Sequence, residues 1–328
     1  MQSAQPTTSV AAPERFGERI RAHIAIARLD HTVKNVFALP GVLIPLSMQP
    51  ELLNWQTGRR IALGFLALCL VACSNYVINE LLDAPYDREH PVKRQRPAAL
   101  GLVSTPGAYA QWLLMGAAGI AIGLSVSSML AAALAALWVM GCVYNLSPVR
   151  SKDRPWLDVL SEAINNPLRL LIGWYMIPGV PMPTISLLAS YWMIGCYFMA
   201  CKRFSEFREI GPAGAAAYRR SFAYYTEKSL LVSIMFYASA AMLFFGAFIM
   251  RYRMELVLSF PSVALVMAIY LHLSFEAASP VQNPEKLHRS PALMAAVIGC
   301  AAVMIVLLWT DIPAVYHLLQ PTLRPHLR

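Results

Sequence analysis

Nine apolar stretches, each close to membrane-spanning length, divide the 328-residue chain: about 36–54, 60–82, 107–124, 128–146, 158–179, 184–201, 230–250, 255–275 and 292–310. A helix crosses a bilayer with about 20 mostly apolar residues, and in lipid each segment must satisfy its own backbone polar groups. The pattern predicts an all-α membrane protein of nine transmembrane helices. Only 14% of the residues are charged, against roughly 25% in soluble domains. A few small residues near Ser127 are all that separate the third and fourth stretches, which predicts a tight helical hairpin.

The basic residues are distributed unevenly. Twenty of the 27 lysines and arginines lie in the N-terminal arm and in the connections 83–106, 147–157, 202–229 and 276–291. Facing them are Arg59, Arg60, Arg251 and Arg253, with Arg324 and Arg328 in the tail. Cytoplasmic loops carry the Lys/Arg excess in membrane proteins, so the N-terminus and the large polar loops are expected inside and the C-terminus outside. The same bias accounts for the formal charge of +9. Nucleic-acid binding needs a concentrated basic footprint, and the sequence has none. Three parts follow: an arm at 1–34, a transmembrane domain at 35–312 and a short tail at 313–328. The arm has no apolar core long enough for a signal peptide. Its segment from Phe16 to Leu29 alternates arginine with isoleucine and alanine, as an interfacial helix or an ordinary polar helix does. The six cysteines lie in apolar stretches without zinc-site spacing and read as packing residues. Nothing in the sequence specifies an oligomeric state.

Polar residues then gather at the ends of these stretches. Asn75, Asn79, Asp83 and Asp87 recur every four residues, a spacing that places them on one helix face. Pro85 disfavours helix continuation, so a bend or stop is expected just after Asp83, leaving Asp87 on the loop. Hard oxygen donors of this kind suit Mg²⁺ bound through one or two carboxylates and substrate phosphate oxygens. The run 90–101 follows at once, with Lys93, Arg94 and Arg96 available to a diphosphate or to anionic lipid head groups. A second mixed cluster, Lys202, Arg203, Glu206 and Glu209, closes the sixth stretch. It reads either as a solvated helix end or as a second metal and phosphate shell. Arg169 falls inside an apolar stretch, where a charge is functional by default. Lys34, Asn35, Tyr144 and Lys152 complete a polar ring on the same side.

Taken together these residues resemble the UbiA superfamily of intramembrane prenyltransferases. The resemblance spans most of 28–310. Its first motif, N-D-x-x-D-x-x-x-D, is matched by Asn79, Glu80, Asp83 and Asp87, with glutamate at the second position. The polyprenyl-phosphate (decaprenyl-phosphate) phosphoribosyltransferase branch is the nearer likeness. Thr32-Val33-Lys34-Asn35 answers its opening element, 90–97 its His-Pro-x-Lys-Arg-x-Arg-Pro loop, Lys202-Arg203-Phe204-Ser205-Glu206 its Lys-Arg-Tyr-x-Glu element, and Arg169 its mid-span arginine. Arg28-Leu29-Asp30 instead resembles the start of aromatic-acceptor members. The resemblance implies nine helices around a central cavity open to the cytoplasm, in a bacterial inner membrane. It also implies Mg²⁺ held by Asn79, Glu80, Asp83 and Asp87, with Glu206 and Glu209 as an opposite wall.

Three functions are weighed. In the first, Mg²⁺ at Asp83 and Asp87 binds the diphosphate of phosphoribosyl pyrophosphate, and a polyprenyl phosphate positioned by Arg169, Lys34 or Lys202 captures ribosyl C1. In the second, a polyprenyl diphosphate ionises and an aromatic or other lipophilic acceptor captures the cation, aided by aromatic rings. The third is a non-catalytic lipid-binding protein or transporter, which would place its polar residues near the midplane with a path to both sides.

Overall fold

The computed structural model describes residues 12–88, 93–282 and 284–319, so His90 and its neighbours in the basic connection lie outside the described residues. All the regular secondary structure described is helical. The α-helices are α1 (Ala12–Ile26), α2 (Leu39–Met48), α3 (Trp55–Asp87), α4 (Thr105–Val126), α5 (Ser128–Asn145), α6 (Leu157–Ala163), α7 (Asn165–Tyr175), α8 (Ile185–Tyr218), α9 (Glu227–Tyr252), α10 (Phe260–Ser274), α11 (Pro291–Trp309) and α12 (Pro313–Leu319). Seven helical segments among the described residues are long and apolar enough to cross a membrane.

The other two expected spans take different forms. Stretch 36–54 is split between the end of a 3₁₀ segment (Leu29–Ala38) and the ten-residue α2. Pro40, Pro45 and Pro50 crowd it, and each removes a backbone donor. Stretch 158–179 becomes the short α6 and α7, meeting at Ile164 just before Asn165, Asn166 and Pro167. At 1.5 Å rise per residue neither α2 nor α7 exceeds about 17 Å. They pack on each other through glycine. A Cβ on Gly41 would sit 2.0 Å from the Leu170 carbonyl oxygen, and one on Gly173 would sit 2.0 Å from that of Ala38. Small residues permit this close approach of helices.

Pro85 does not end α3. The helix continues through it to Asp87, a correction to the expected bend. Only the last turn is affected, and that turn is tied down from outside: Arg96 Nη1 reaches Asp87 Oδ2 at 2.7 Å and Arg88 Nε reaches the Ala99 carbonyl at 3.1 Å. At the opposite end of α3, Arg60 donates to the terminal carbonyls of two helices, Met176 O at 3.0 Å and Val126 O at 2.9 Å, groups a helix end leaves unpaired. The hairpin at Ser127 is present, its hydroxyl accepting the Leu130 N–H at 3.1 Å. α8 breaks at Gly211, whose φ of 73° and ψ of 164° lie where essentially only glycine goes.

Two packed groups result. Helices α2, α3, α4, α5 and α7 share one apolar core containing Leu68, Val71, Leu134 and Ile172. Helices α8, α9 and α10 share another containing Phe204, Ile234 and Tyr270. A cavity of about 2340 Å³ is lined from both groups. α1 rests on α4, where His23 Nδ1 donates to Gln111 Oε1 at 3.0 Å while Ile20 and Ile24 stay exposed. All six cysteines are free thiols.

Gly173→Ala is expected to lower stability by about 2 kcal/mol or more, because its methyl meets a backbone oxygen that cannot rotate away. Thermal unfolding in detergent, beside the control Gly17→Ala where nothing lies within 4 Å, provides the check.

Candidate active site

The last two turns of α3 present Asn79 and Asp83 to the cavity, and the 3₁₀ turn Ser151–Asp153 brings Lys152 against them. Its ammonium lies 2.5 Å from Asp83 Oδ1, 2.8 Å from Asn145 Oδ1 and 3.2 Å from Asn79 Oδ1. Three oxygens from two helices thus surround one buried cation. Burial lowers the Lys152 pKa while Asp83 works against that loss. Arg150, held at a positive φ of 29°, adds a second cation: Nη2 lies 3.1 Å from Asp83 and Nε 2.9 Å from Asp153. One turn on, Asp87 is 5% exposed and paired with Arg96. Lys93 lines the same end, and Arg94 is exposed.

Two oxygens here are left over. Glu80 is 3% exposed and its Oε1 has no hydrogen-bond partner, and neither has Asn75 Oδ1, although Asn75 Nδ2 donates to Leu137 O at 2.9 Å. Buried polar atoms are normally satisfied, so these mark room for a cation or a polar ligand. Gly141 gives the Asn75 amide its place, since a Cβ there would come 2.2 Å from Asn75 Oδ1. Among the described residues no three acidic, histidine or cysteine side chains converge as a metal site on their own. Asn79, Glu80, Asp83 and Asp87 offer hard donors for part of a Mg²⁺ shell, the remainder falling to substrate oxygens as Mg²⁺ prefers.

The second cluster is closed. Arg203, 2% exposed, donates to Asp158 Oδ2 at 3.1 Å, Glu162 Oε2 at 2.8 Å and Glu206 Oε2 at 3.0 Å. Asp158 is fully buried and also accepts from Ser221 Oγ at 3.2 Å and the Tyr225 hydroxyl at 2.5 Å. Tyr144 donates to Glu162 at 2.9 Å and accepts from Arg219 at 2.9 Å. Lys202 sits 3.9 Å from Glu206. Glu209 turns instead to Gln282 Nε2, 2.5 Å away. Sequence reasoning passes over Asp158 and Glu162, whose one signal is a pair of acids four residues apart in a short apolar helix.

Deeper in the cavity Arg169 is 7% exposed. Its Nε lies 3.4 Å from Asn35 Oδ1, and the Asn35 amide in turn donates to Cys69 Sγ at 3.3 Å. Lys34 stands 6.0 Å from the Tyr76 ring centroid. Beyond these groups the lining is apolar, with Phe245, Phe248, Met267, Val297 and Met304.

The sequence profile of the UbiA prenyltransferase family matches residues 36–294. The chain belongs to that family. It is an integral membrane transferase by that membership and by its apolar helices. It is 27% identical to the decaprenyl-phosphate phosphoribosyltransferase of Mycolicibacterium smegmatis over 246 residues, 75% of this chain and 74% of that protein. It is 30% identical to the enzyme of the same name from Corynebacterium glutamicum over 212 residues, 63% of this chain and 60% of that one. The fold of this UbiA-family chain is similar to that of a UbiA homolog from Archaeoglobus fulgidus solved with DMAPP and Mg²⁺. The TM-score is 0.65 at 18% identity, over 86% of this chain and 99% of that one.

Burial brings the Lys93 ammonium down to about 8, against the pull of Glu206. Below that pH the side chain is charged, and above it the charge is lost. Affinity for pyrophosphate in the presence of Mg²⁺, measured by calorimetry, is therefore expected to fall about tenfold as pH rises through this value, the worth of one charge-assisted contact. Lys93→Arg, whose charge is fixed, is expected to remove that limb of the profile.

Proposed function

We propose that this chain transfers a 5-phosphoribosyl group from phosphoribosyl pyrophosphate to a polyprenyl phosphate and releases pyrophosphate. The observation that carries this reading is one cavity with an acid-and-base end at α3 and an apolar far end. The likeness to enzymes named decaprenyl-phosphate phosphoribosyltransferase supports the choice of donor and acceptor. The short α2 and the α6–α7 pair serve as the remaining two of nine membrane elements. In this reading the acid end faces the cytoplasm of a bacterial inner membrane, which the loop charges support.

In this reading Asn79, Glu80, Asp83 and Asp87 hold Mg²⁺, which supplies neutralising charge to the departing diphosphate. Lys152 and Arg150 leave Asp83 for the diphosphate oxygens, exchanging one anion for another without exposing a bare charge. Arg96 and Lys93 close on the same group from the connection after α3. Positioned cations of this kind stabilise charge that grows as the bond breaks. A phosphate oxygen of the acceptor forms its bond to ribosyl C1 while the C1–O bond to pyrophosphate breaks, and the electron pair leaves with pyrophosphate. The acceptor is already ionised, so no general base is needed. Glu206 anchors Arg203, and Glu209 anchors Gln282, on the facing wall.

Purified protein incubated in parallel with labelled phosphoribosyl pyrophosphate plus polyprenyl phosphate, and with prenyl diphosphate plus labelled aromatic acids, tests the proposal. Lipid-linked label is expected in the first mixture only; label in the second alone overturns the donor assignment, and label in neither overturns transfer altogether. Asp83→Asn is expected to lower Mg²⁺-dependent turnover by at least about 100-fold, in the range seen for loss of a transition-state electrostatic contact. Its elution volume should stay unchanged while its melting temperature falls, because Lys152 and Arg150 lose their carboxylate, and undiminished turnover would remove Asp83 from the metal site.

A further inference from the structure

Most of the buried cations described above have a carboxylate at hand. Arg203 has three, Lys152 has Asp83, and Arg96 has Asp87. Arg169 is 7% exposed and has none within 4.0 Å among the described residues. Its contacts are two long hydrogen bonds to neutral oxygens, Asn35 Oδ1 and Asn165 O, both at 3.4 Å. A guanidinium with five donors, buried in a membrane-embedded wall and this poorly matched, is costly unless an anion meets it. It lines the cavity, as do Asn35's neighbour Lys34 and the half-buried Asn165, whose Oδ1 has no partner.

We propose that Arg169, held in place by Asn35, is the anchor of a second phosphate site, separate from the α3 carboxylates and deeper in the cavity, that takes a phosphate monoester. The depth follows from α3 itself. Asn35 links Arg169 to Cys69, and Lys34 stands beside Tyr76. These positions on α3 precede Asp83 by two to four turns, or about 11 to 21 Å of rise. The cavity therefore presents two cationic stations along its length. A prenyl diphosphate carries one anionic head and supplies an anion to only one station. A donor bearing both a diphosphate and a sugar phosphate, or a donor and a lipid phosphate together, supplies an anion to each station. The phosphate at Arg169 comes either from the lipid acceptor or from the 5-phosphate of the donor. The inference rests on the phosphoribosyl reading for the source of the phosphate, and on the geometry alone for the site.

The test is binding without turnover. The full chain in nanodiscs with EDTA is titrated with polyprenyl phosphate, ribose 5-phosphate and, as a control, the uncharged polyprenol. Arg169→Gln is expected to weaken one of the two phosphates by about 10- to 100-fold, as loss of a charge-assisted hydrogen-bonded contact does. Arg169→Lys should weaken it less, and polyprenol should be unaffected. Loss in the lipid arm assigns the site to the acceptor; loss in the sugar arm assigns it to the donor. Unchanged affinity for both phosphates, or an equal loss for polyprenol, overturns the proposal. Should the glutamine variant fail to fold, phenylglyoxal labelling of the wild-type chain read by mass spectrometry decides: Arg169 is protected by one phosphate ligand and not by polyprenol, and lack of protection overturns the site. Because no transfer is measured, a chain that fails the parallel substrate assay can still show Arg169-dependent phosphate binding, and then the proposed reaction falls while the site stands.

Discussion

The contact between Lys152 and the oxygens of Asn79, Asp83 and Asn145 organises this molecule. It joins the end of α3, the end of α5 and the turn leading into α6 at one buried point. A carboxylate inside a membrane protein is tolerated only with a partner, and removing one partner of a buried pair is far costlier than the pair is worth. Asp83 could therefore not stay at the mouth of a membrane cavity without Lys152 and Arg150. The same partnership makes the site exchangeable, because a metal ion and an anionic substrate together replace what each group gives up.

The two charged clusters differ in how completely they are satisfied. Around Arg203 all three donor nitrogens have carboxylate partners, and Asp158 is held by Ser221 and Tyr225 as well. A fully satisfied network rigidifies its surroundings, and this one fixes α6 against α8. Among the described residues, Glu80 Oε1 and Asn75 Oδ1 on α3 remain without hydrogen-bond partners, and Arg169 has no carboxylate within 4.0 Å. Capacity to bind lies where the matching is incomplete.

Much of this was legible in the sequence because it rests on periodicity. The four-residue stripe Asn75, Asn79, Asp83 and Asp87 does line one face of α3, Lys93, Arg96 and Lys152 do come to it, and the Ser127 hairpin is where small residues mark it. Pro85 misleads because it sits one turn from the helix end, where it removes a single backbone hydrogen bond and the turn is tied from outside by the Asp87–Arg96 and Arg88–Ala99 contacts. The proline-rich stretch 36–54 and the Asn-Asn-Pro break near 165 are apolar enough to count as spans, yet local backbone chemistry shortens their helices. Asp158 and Glu162 were not legible, since their role depends on Arg203, about 40 residues away in the chain. Nor does composition separate Glu206, which faces a guanidinium, from Glu209, which faces Gln282.

The central claim is that the α3 end is half a metal site, completed by the substrate. Equilibrium dialysis of the purified protein against Mn²⁺, a spectroscopic substitute for Mg²⁺, with and without inorganic pyrophosphate, tests it most directly. The account predicts that the protein retains Mn²⁺ tightly only when pyrophosphate is present, because Lys152 fills the oxygen set until an anion draws it away. Equally tight retention of Mn²⁺ without pyrophosphate would contradict it.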